Sequence, residues 1–207
     1  MQTEILSIND PKAISLAAEI LAGGGLVVFP TDTVYGVGAL AFNDQAVSKI
    51  SDIKGRTGEK AIPILIGDFS QLALVSTGIN SDCEKLSRCF WPGPLTIVLP
   101  RHDSIPDAVS PLQTVGVRIP DFTETIKLLK LTGPLAVSSA NLAGMGSSST
   151  ARGVQSQLDG KIPLILDGGV TPGGIPSTVV DCSQGHPVIL REGPISLKQI
   201  LNALAQD

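Results

Sequence analysis

The sequence predicts an α/β protein: a twisted mixed sheet with helices packed against it. Three observations carry this. Amphipathic helical periods alternate with short β-branched strands through the first half. Two strand-rich stretches further on break that alternation, which argues against a purely parallel, doubly wound sheet. A chain of 207 residues, 43% hydrophobic and 16% charged, buries a sizeable core, so residues 1–207 are expected to form a single domain.

Asp10-Pro11 opens the first helix, with Asp as N-cap and Pro at the first helical position. Ile14, Ala17, Ala18 and Leu21 recur at helical spacing, and Gly23-Gly24-Gly25 stops the run. Leu26–Phe29 reads as a buried strand ended by Pro30, which cannot donate to a ladder. Asn43 caps a second helix, Phe42 and Val47 form a hydrophobic staple across its start, and Gly55 ends it in a left-handed turn. Ala61–Ile66 is a strand, followed by a helical turn near Ser70–Leu74. Ser81 and Glu84 make a capping box for a helix to Phe90, and Trp91-Pro92-Gly93-Pro94 breaks the chain. Strands at Leu95–Pro100 and Val115–Pro120 are joined by a long Pro-rich loop, of a length usually found in lids or mobile connections. A helix at Thr123–Leu131 leads to a strand at Leu135–Ser138, and the Gly/Ser-rich loop Gly144–Thr150 opens a helix to Leu158. Strands at Pro163–Leu166, Thr178–Asp181 and Val188–Leu190 precede a helix with a Ser196/Gln199 capping box and an Ile195/Ile200 staple.

Composition narrows the function. A net charge of −4 argues against a broad basic face that coats nucleic acid, and 3% aromatics leave few platforms for stacking bases. Cys83, Cys89 and Cys182, odd in number and without CxxC spacing, read as buried thiols in a reducing, cytoplasmic compartment. His102 and His186 cannot make a His-rich metal site, so no protein-held metal is expected. No apolar run reaches the length of a membrane span, and the N-terminus has no signal-peptide pattern.

Five segments could carry chemistry. Pro30–Gly38 is either a strand connection capped by its own Thr and Asp side chains, or the floor of a site where Gly36 and Gly38 let a ligand approach. Lys54-Gly55-Arg56, with Lys60 behind, is either a solvated helix end or two cations turned on one anion. Ser138-Ser139-Ala140-Asn141, at a strand end, is a turn or a set of donors for a phosphate or sugar. Ser147–Thr150 enters a helix, as a plain N-cap or an anion site. Ser177-Thr178 and Arg191 flank the last strands. No P-loop, GxGxxG or GxSxG motif is present, so a nucleotide would need another architecture.

Taken in order, Pro30-Thr31-Asp32-Thr33-Val34-Tyr35-Gly36, Lys54-Gly55-Arg56, Pro92-Gly93-Pro94-Leu95-Thr96, Val117-Arg118-Ile119-Pro120, Ser139-Ala140-Asn141, Ser177-Thr178-Val179 and Leu190-Arg191 resemble the YrdC-type threonylcarbamoyl-AMP synthase family over nearly the whole chain. The resemblance implies a sheet whose concave face forms a basic cavity. It implies the reaction of L-threonine, bicarbonate and ATP to threonylcarbamoyl-AMP and pyrophosphate, with Mg²⁺ carried by the ATP phosphates. The product would feed the t6A modification of tRNA through downstream transfer proteins, with a weak tRNA contact as a further implied partner. Lys54, Arg56, Ser139 and Asn141 would act at the nucleotide, joined by Lys60, Ser149 and Arg191 around phosphates and adenosine. Thr33, Arg118, Ser138 and Ser177 would line the threonine end. Three other readings stand beside it: a carbamoyl-adenylate domain like that of hydrogenase maturation proteins, a member of the YciO branch, and an RNA-binding module.

Overall fold

The computed structural model describes residues 2–55 and 60–205. Its strands are β1 (Glu4–Ser7), β2 (Val27–Phe29), β3 (Gly36–Leu40), β4 (Ile64–Leu65), β5 (Leu95–Pro100), β6 (Thr114–Arg118), β7 (Leu135–Ser139), β8 (Leu164–Asp167), β9 (Thr178–Asp181) and β10 (Val188–Arg191). The helices are α1 (Ala13–Ala22), α2 (Asp44–Lys54), α3 (Leu72–Val75), α4 (Ser81–Phe90), α5 (Thr123–Thr132), α6 (Ala151–Leu158) and α7 (Leu197–Leu204). All ten strands join one sheet in the order β1-β8-β2-β3-β7-β4-β6-β5-β9-β10. Parallel pairs (β1/β8, β2/β8, β4/β6, β5/β9) are interspersed with antiparallel ones, so the sheet is mixed, as the broken alternation predicts.

The period of two along each strand sorts its side chains between two cores. Val28, Ala136, Ile165, Ile97 and Val117 face a large cluster that also takes in residues of α2, α4, α6 and α7. Val27, Phe29, Val137 and Leu164 face the other way, onto α1 and α5. The registers Leu65↔Arg118, Gly116↔Val98 and Thr96↔Val179 carry this second face across β6, β5 and β9. Beyond Leu65, which still belongs to the second core, Arg118, Gly116, Val98, Thr96 and Val179 belong to neither. That uncovered stretch of sheet holds the cavity described below.

Local structure departs from the sequence reading in definite places. β1 and β3 are strands that the pattern does not announce. In β3 a Cβ on Gly36 would lie 2.6 Å from Val137 Cγ1, and one on Gly38 would lie 2.8 Å from Phe29 Cε1. The missing side chains therefore admit the neighbouring Val137 and Phe29, and Gly36 also lines the cavity described below. α1 starts three residues after Asp10, whose Oδ1 accepts from the Lys12 amide at 2.8 Å. Asn80, not Ser81, caps α4, its Oδ1 accepting from the Cys83 amide at 2.9 Å. The Pro-rich loop is braced, with Ile105 and Val109 buried and the Val109 carbonyl accepting from the Ile62 amide at 2.7 Å. The expected strand at Ala61–Ile66 is reduced to Ile64–Leu65. Gly55 closes α2 at φ 61°, and Ser196 with Gln199 makes the anticipated capping box.

Cys83 and Cys182 are buried as expected, but Cys89 is exposed. Burial pushes the Cys83 and Cys182 thiols up to about 12 and the Tyr35 phenol to about 12. These groups ionise first in the unfolded chain, so the stability their neutral forms permit is intact below pH 9 and is lost as pH rises from there towards 12. Chemical denaturation between pH 8 and 10.5 is expected to show stability falling above pH 9. Cys83→Ala should flatten that fall, and an unchanged slope in the variant would remove Cys83 as its source.

Candidate functional site

The cavity, about 230 Å³ in volume, sits on the uncovered sheet face. Thr31, Thr33 and Gly36 come from the β2–β3 connection and the start of β3, and Ser138 and Ser139 from the end of β7. Arg118 stands at the end of β6 and Thr96 on β5, while Ser177 precedes β9 and Arg191 closes β10. Arg118 reaches it because Val117 beside it takes the core side of the strand.

Proton accounting orients the threonine hydroxyls. Thr31 Oγ1 donates to the Val34 carbonyl at 2.7 Å, so its contact with Thr33 Oγ1 at 2.9 Å has Thr33 as donor. Thr33 Oγ1 in turn accepts from Arg118 Nη1 at 3.0 Å. Arg118 also donates from Nε to the Gly93 carbonyl at 2.9 Å and from Nη2 to Asp32 Oδ1. The ion pair with Asp32 is buried, with 7% and 11% of the two side chains exposed. Burial pulls the Arg118 guanidinium down, Asp32 opposes that pull, and the positive charge of Arg191 adds to it. Asp32 Oδ1 accepts from the Asp121 amide at 3.1 Å, whereas Oδ2 is buried with no hydrogen-bond partner among the described residues.

Arg191 is held differently. Its Nε and Nη2 donate to the Ser177 carbonyl at 3.0 and 2.8 Å, and Nη2 lies 3.2 Å from Ser177 Oγ. Ser177 Oγ is hydrogen-bonded to Thr96 Oγ1 at 2.8 Å. Among the described residues no carboxylate forms an ion pair with Arg191. An apolar slot of about 330 Å³ adjoins the cavity, sharing Ala61, Pro63, Thr96 and Arg191 with it and continuing to Val98, Leu112 and Leu190.

Thr33, Arg118, Ser138, Ser139, Ser177 and Arg191 are thus brought together from segments up to 158 residues apart in the chain. Lys54 and Asn141 lie beneath this lining. The buried Lys54 ammonium is turned onto the backbone, donating to the Asn141 carbonyl at 2.7 Å and to the Ser139 carbonyl. Asn141 Nδ2 donates to the Leu142 and Met145 carbonyls at 2.9 and 2.7 Å. The sequence reading turns Lys54 and Arg56 together on one anion; in the structure two of the three N–H groups of the Lys54 ammonium go to backbone carbonyls, and Arg56 lies outside the described residues. Lys60 is exposed and Ser149 half-buried, and neither lines the cavity.

Two contributors escape sequence reasoning. Asp32 reads as a turn residue, and only the fold carries Arg118 to it. Tyr35 reads only as a phenol in the polar turn, and the fold shows that it ties three segments together. Its amide donates to the Ser148 carbonyl at 3.1 Å and its carbonyl accepts from Ala140 at 2.9 Å. Its hydroxyl donates to the Gly169 carbonyl at 2.7 Å and accepts from the Gly168 amide at 3.1 Å.

Two fixed guanidinium groups, a ring of hydroxyls and an apolar slot thus meet on a mixed sheet without a P-loop. The sequence matches the Sua5/YciO/YrdC family model, described as "Telomere recombination", over residues 19–193. A threonylcarbamoyl-AMP synthase of Bacillus subtilis is 43% identical over 204 residues, covering 96% of this chain and 58% of that protein. One of Pyrococcus abyssi is 40% identical over 195 residues, covering 93% and 57%. The crystal structure of P. abyssi Sua5 complexed with L-threonine superposes with a TM-score of 0.92 at 39% identity, covering 99% of this chain and 60% of that one. The chain belongs to the Sua5/YciO/YrdC family, and it spans less than two thirds of the length of these relatives. Among the described residues no helix is long and apolar enough to cross a membrane.

Proposed function

We propose that the protein is a threonylcarbamoyl-AMP synthase, converting L-threonine, bicarbonate and Mg²⁺-bound ATP to threonylcarbamoyl-AMP and pyrophosphate. The observation that carries this is the meeting of Thr33, Arg118, Ser138, Ser139, Ser177 and Arg191 on one cavity. It is supported by a 39% identical relative with L-threonine bound. Residues 1–207 act as a single YrdC-like domain in this reading.

The residues divide the work. Arg118, on a fixed mount of Gly93, Thr33 and Asp32, takes the threonine carboxylate through its remaining N–H groups. Thr33 Oγ1, its own proton given to Thr31, offers an acceptor to the amine. Carboxylation of that amine gives a carbamate whose oxygen attacks the α-phosphorus and expels pyrophosphate. Charge gathers on the phosphoryl oxygens, and Arg191, joined by Arg56 and Lys60, stabilises it electrostatically. Ser139, Ser149 and Asn141 position the nucleotide, Asn141 and Ser139 through the segment that Lys54 braces. The slot of Ala61, Pro63, Val98 and Leu190 takes the base. Mg²⁺ enters in this reading as part of the nucleotide substrate, held mainly by its phosphates. No protein nucleophile is needed. The adenylate passes to downstream proteins that modify tRNA, in a cytoplasmic setting suited to three thiols outside any disulfide.

Pyrophosphate release from ATP is expected to require both threonine and bicarbonate. Equal release without threonine would overturn this reading and leave a nucleotide-binding role.

A further inference from the structure

The two arginines share one cavity but not one electrostatic state. Arg118 is paired with Asp32 in a buried, single-oxygen contact, so the local charge of that end is close to zero. Arg191 rests on the Ser177 carbonyl and hydroxyl and has no carboxylate partner among the described residues. Arg118 feels the charge of Arg191, which adds to the burial that lowers the Arg118 guanidinium's affinity for its proton. A polyanion entering this space therefore meets two guanidinium groups, of which one is already neutralised.

We propose that Asp32 is a specificity-determining residue that sorts the two anions of the reaction, holding the polyphosphate at Arg191 and reserving Arg118 for the amino-acid carboxylate. This inference rests on the reading of the cavity given above. The physical reason is that a triphosphate gains most from an unpaired cation. At a paired one it must also face the carboxylate of Asp32, which repels it along the same line. A single carboxylate, with its ammonium or amine alongside, loses far less from that repulsion. It still gains the directional N–H groups that Asp32, Thr33 and Gly93 hold in place. Asp32 touches neither ligand. Its Oδ1 is occupied by Arg118 and the Asp121 amide, and it does not line the cavity.

The test uses inorganic triphosphate as the polyanion and L-threonine as the amino acid, with binding followed by calorimetry on the full chain. In the wild type, saturating triphosphate should leave the threonine Kd within about twofold. In Asp32→Asn, which keeps an acceptor for Arg118 but removes the charge, triphosphate should become a competitor. The apparent threonine Kd should rise about tenfold or more, the range that one hydrogen bond to a charged group carries. In Arg191→Gln, triphosphate affinity should fall about tenfold while threonine binding persists. This second variant decides the matter alone if Asp32→Asn does not fold. Competition already present in the wild type, none in a folded Asp32→Asn protein, or triphosphate displacing threonine from Arg191→Gln would each overturn the sorting role. Failure of the wild type to bind threonine at all would instead overturn the assignment of the cavity.

Discussion

Replacing Arg118 with alanine is expected to raise the threonine concentration for half-maximal pyrophosphate release about a hundredfold, against less than about threefold for ATP. Hydrogen bonds to charged groups are worth about 1.5–3 kcal/mol, and a bidentate carboxylate contact reaches the upper part of that range, about a hundredfold in affinity. The substitution also strands Asp32, whose carboxylate is buried against Arg118, with no hydrogen-bond partner for Oδ2 among the described residues. Removing one member of a buried pair costs about 3–5 kcal/mol of stability. The single variant should therefore melt markedly earlier than the wild type. Adding Asp32→Asn to Arg118→Ala should recover most of the melting temperature and none of the threonine response. A double variant that recovers both would show that Arg118 matters only for folding. An ATP requirement that rises more than the threonine requirement would place Arg118 at the nucleotide.

Lys54→Met carries the second large effect. The Lys54 ammonium is buried and donates to the carbonyls of Ser139 and Asn141, and the Lys54 carbonyl accepts from the Ala143 amide at 2.9 Å. Methionine fills much of the stem's volume but leaves those acceptors without their donor, at about 1–3 kcal/mol for each buried group left unsatisfied. The expected result is a lower melting temperature together with a loss of pyrophosphate release of about a hundredfold, spread over threonine and ATP alike. Lys54→Arg should not rescue it, because a planar fork cannot place one point charge between two carbonyls in the space of an ammonium. Unaltered melting with a selective loss of ATP affinity would show instead that the ammonium works on the nucleotide directly.

These two residues also show what kinds of information the chain carries. The alternation Val117-Arg118-Ile119 determines that Arg118 leaves the core side of its strand, since a period of two leaves no other choice. The broken strand and helix alternation likewise determines the mixed α/β class, and local signals determine the cap of α2 at Asn43 and the capping box of α7. Such features depend on neighbours within a few residues, where spacing and hydrogen-bonding chemistry act directly. β3 is hidden because glycines lower strand propensity, and it exists only because β2 and β7 bring Phe29 and Val137 against it. The loop before β6 has the length of a lid but is pinned by Ile105 and Val109, whose burial needs the whole core in place. The direction of the Lys54 ammonium, the pairing of Arg118 with Asp32 and the reach of the Tyr35 hydroxyl to Gly169 join residues 85 to 134 positions apart. No local rule selects such partners. They are chosen by sheet order and register, which place chain-distant strand ends side by side and leave one face of β6, β5 and β9 bare of helix.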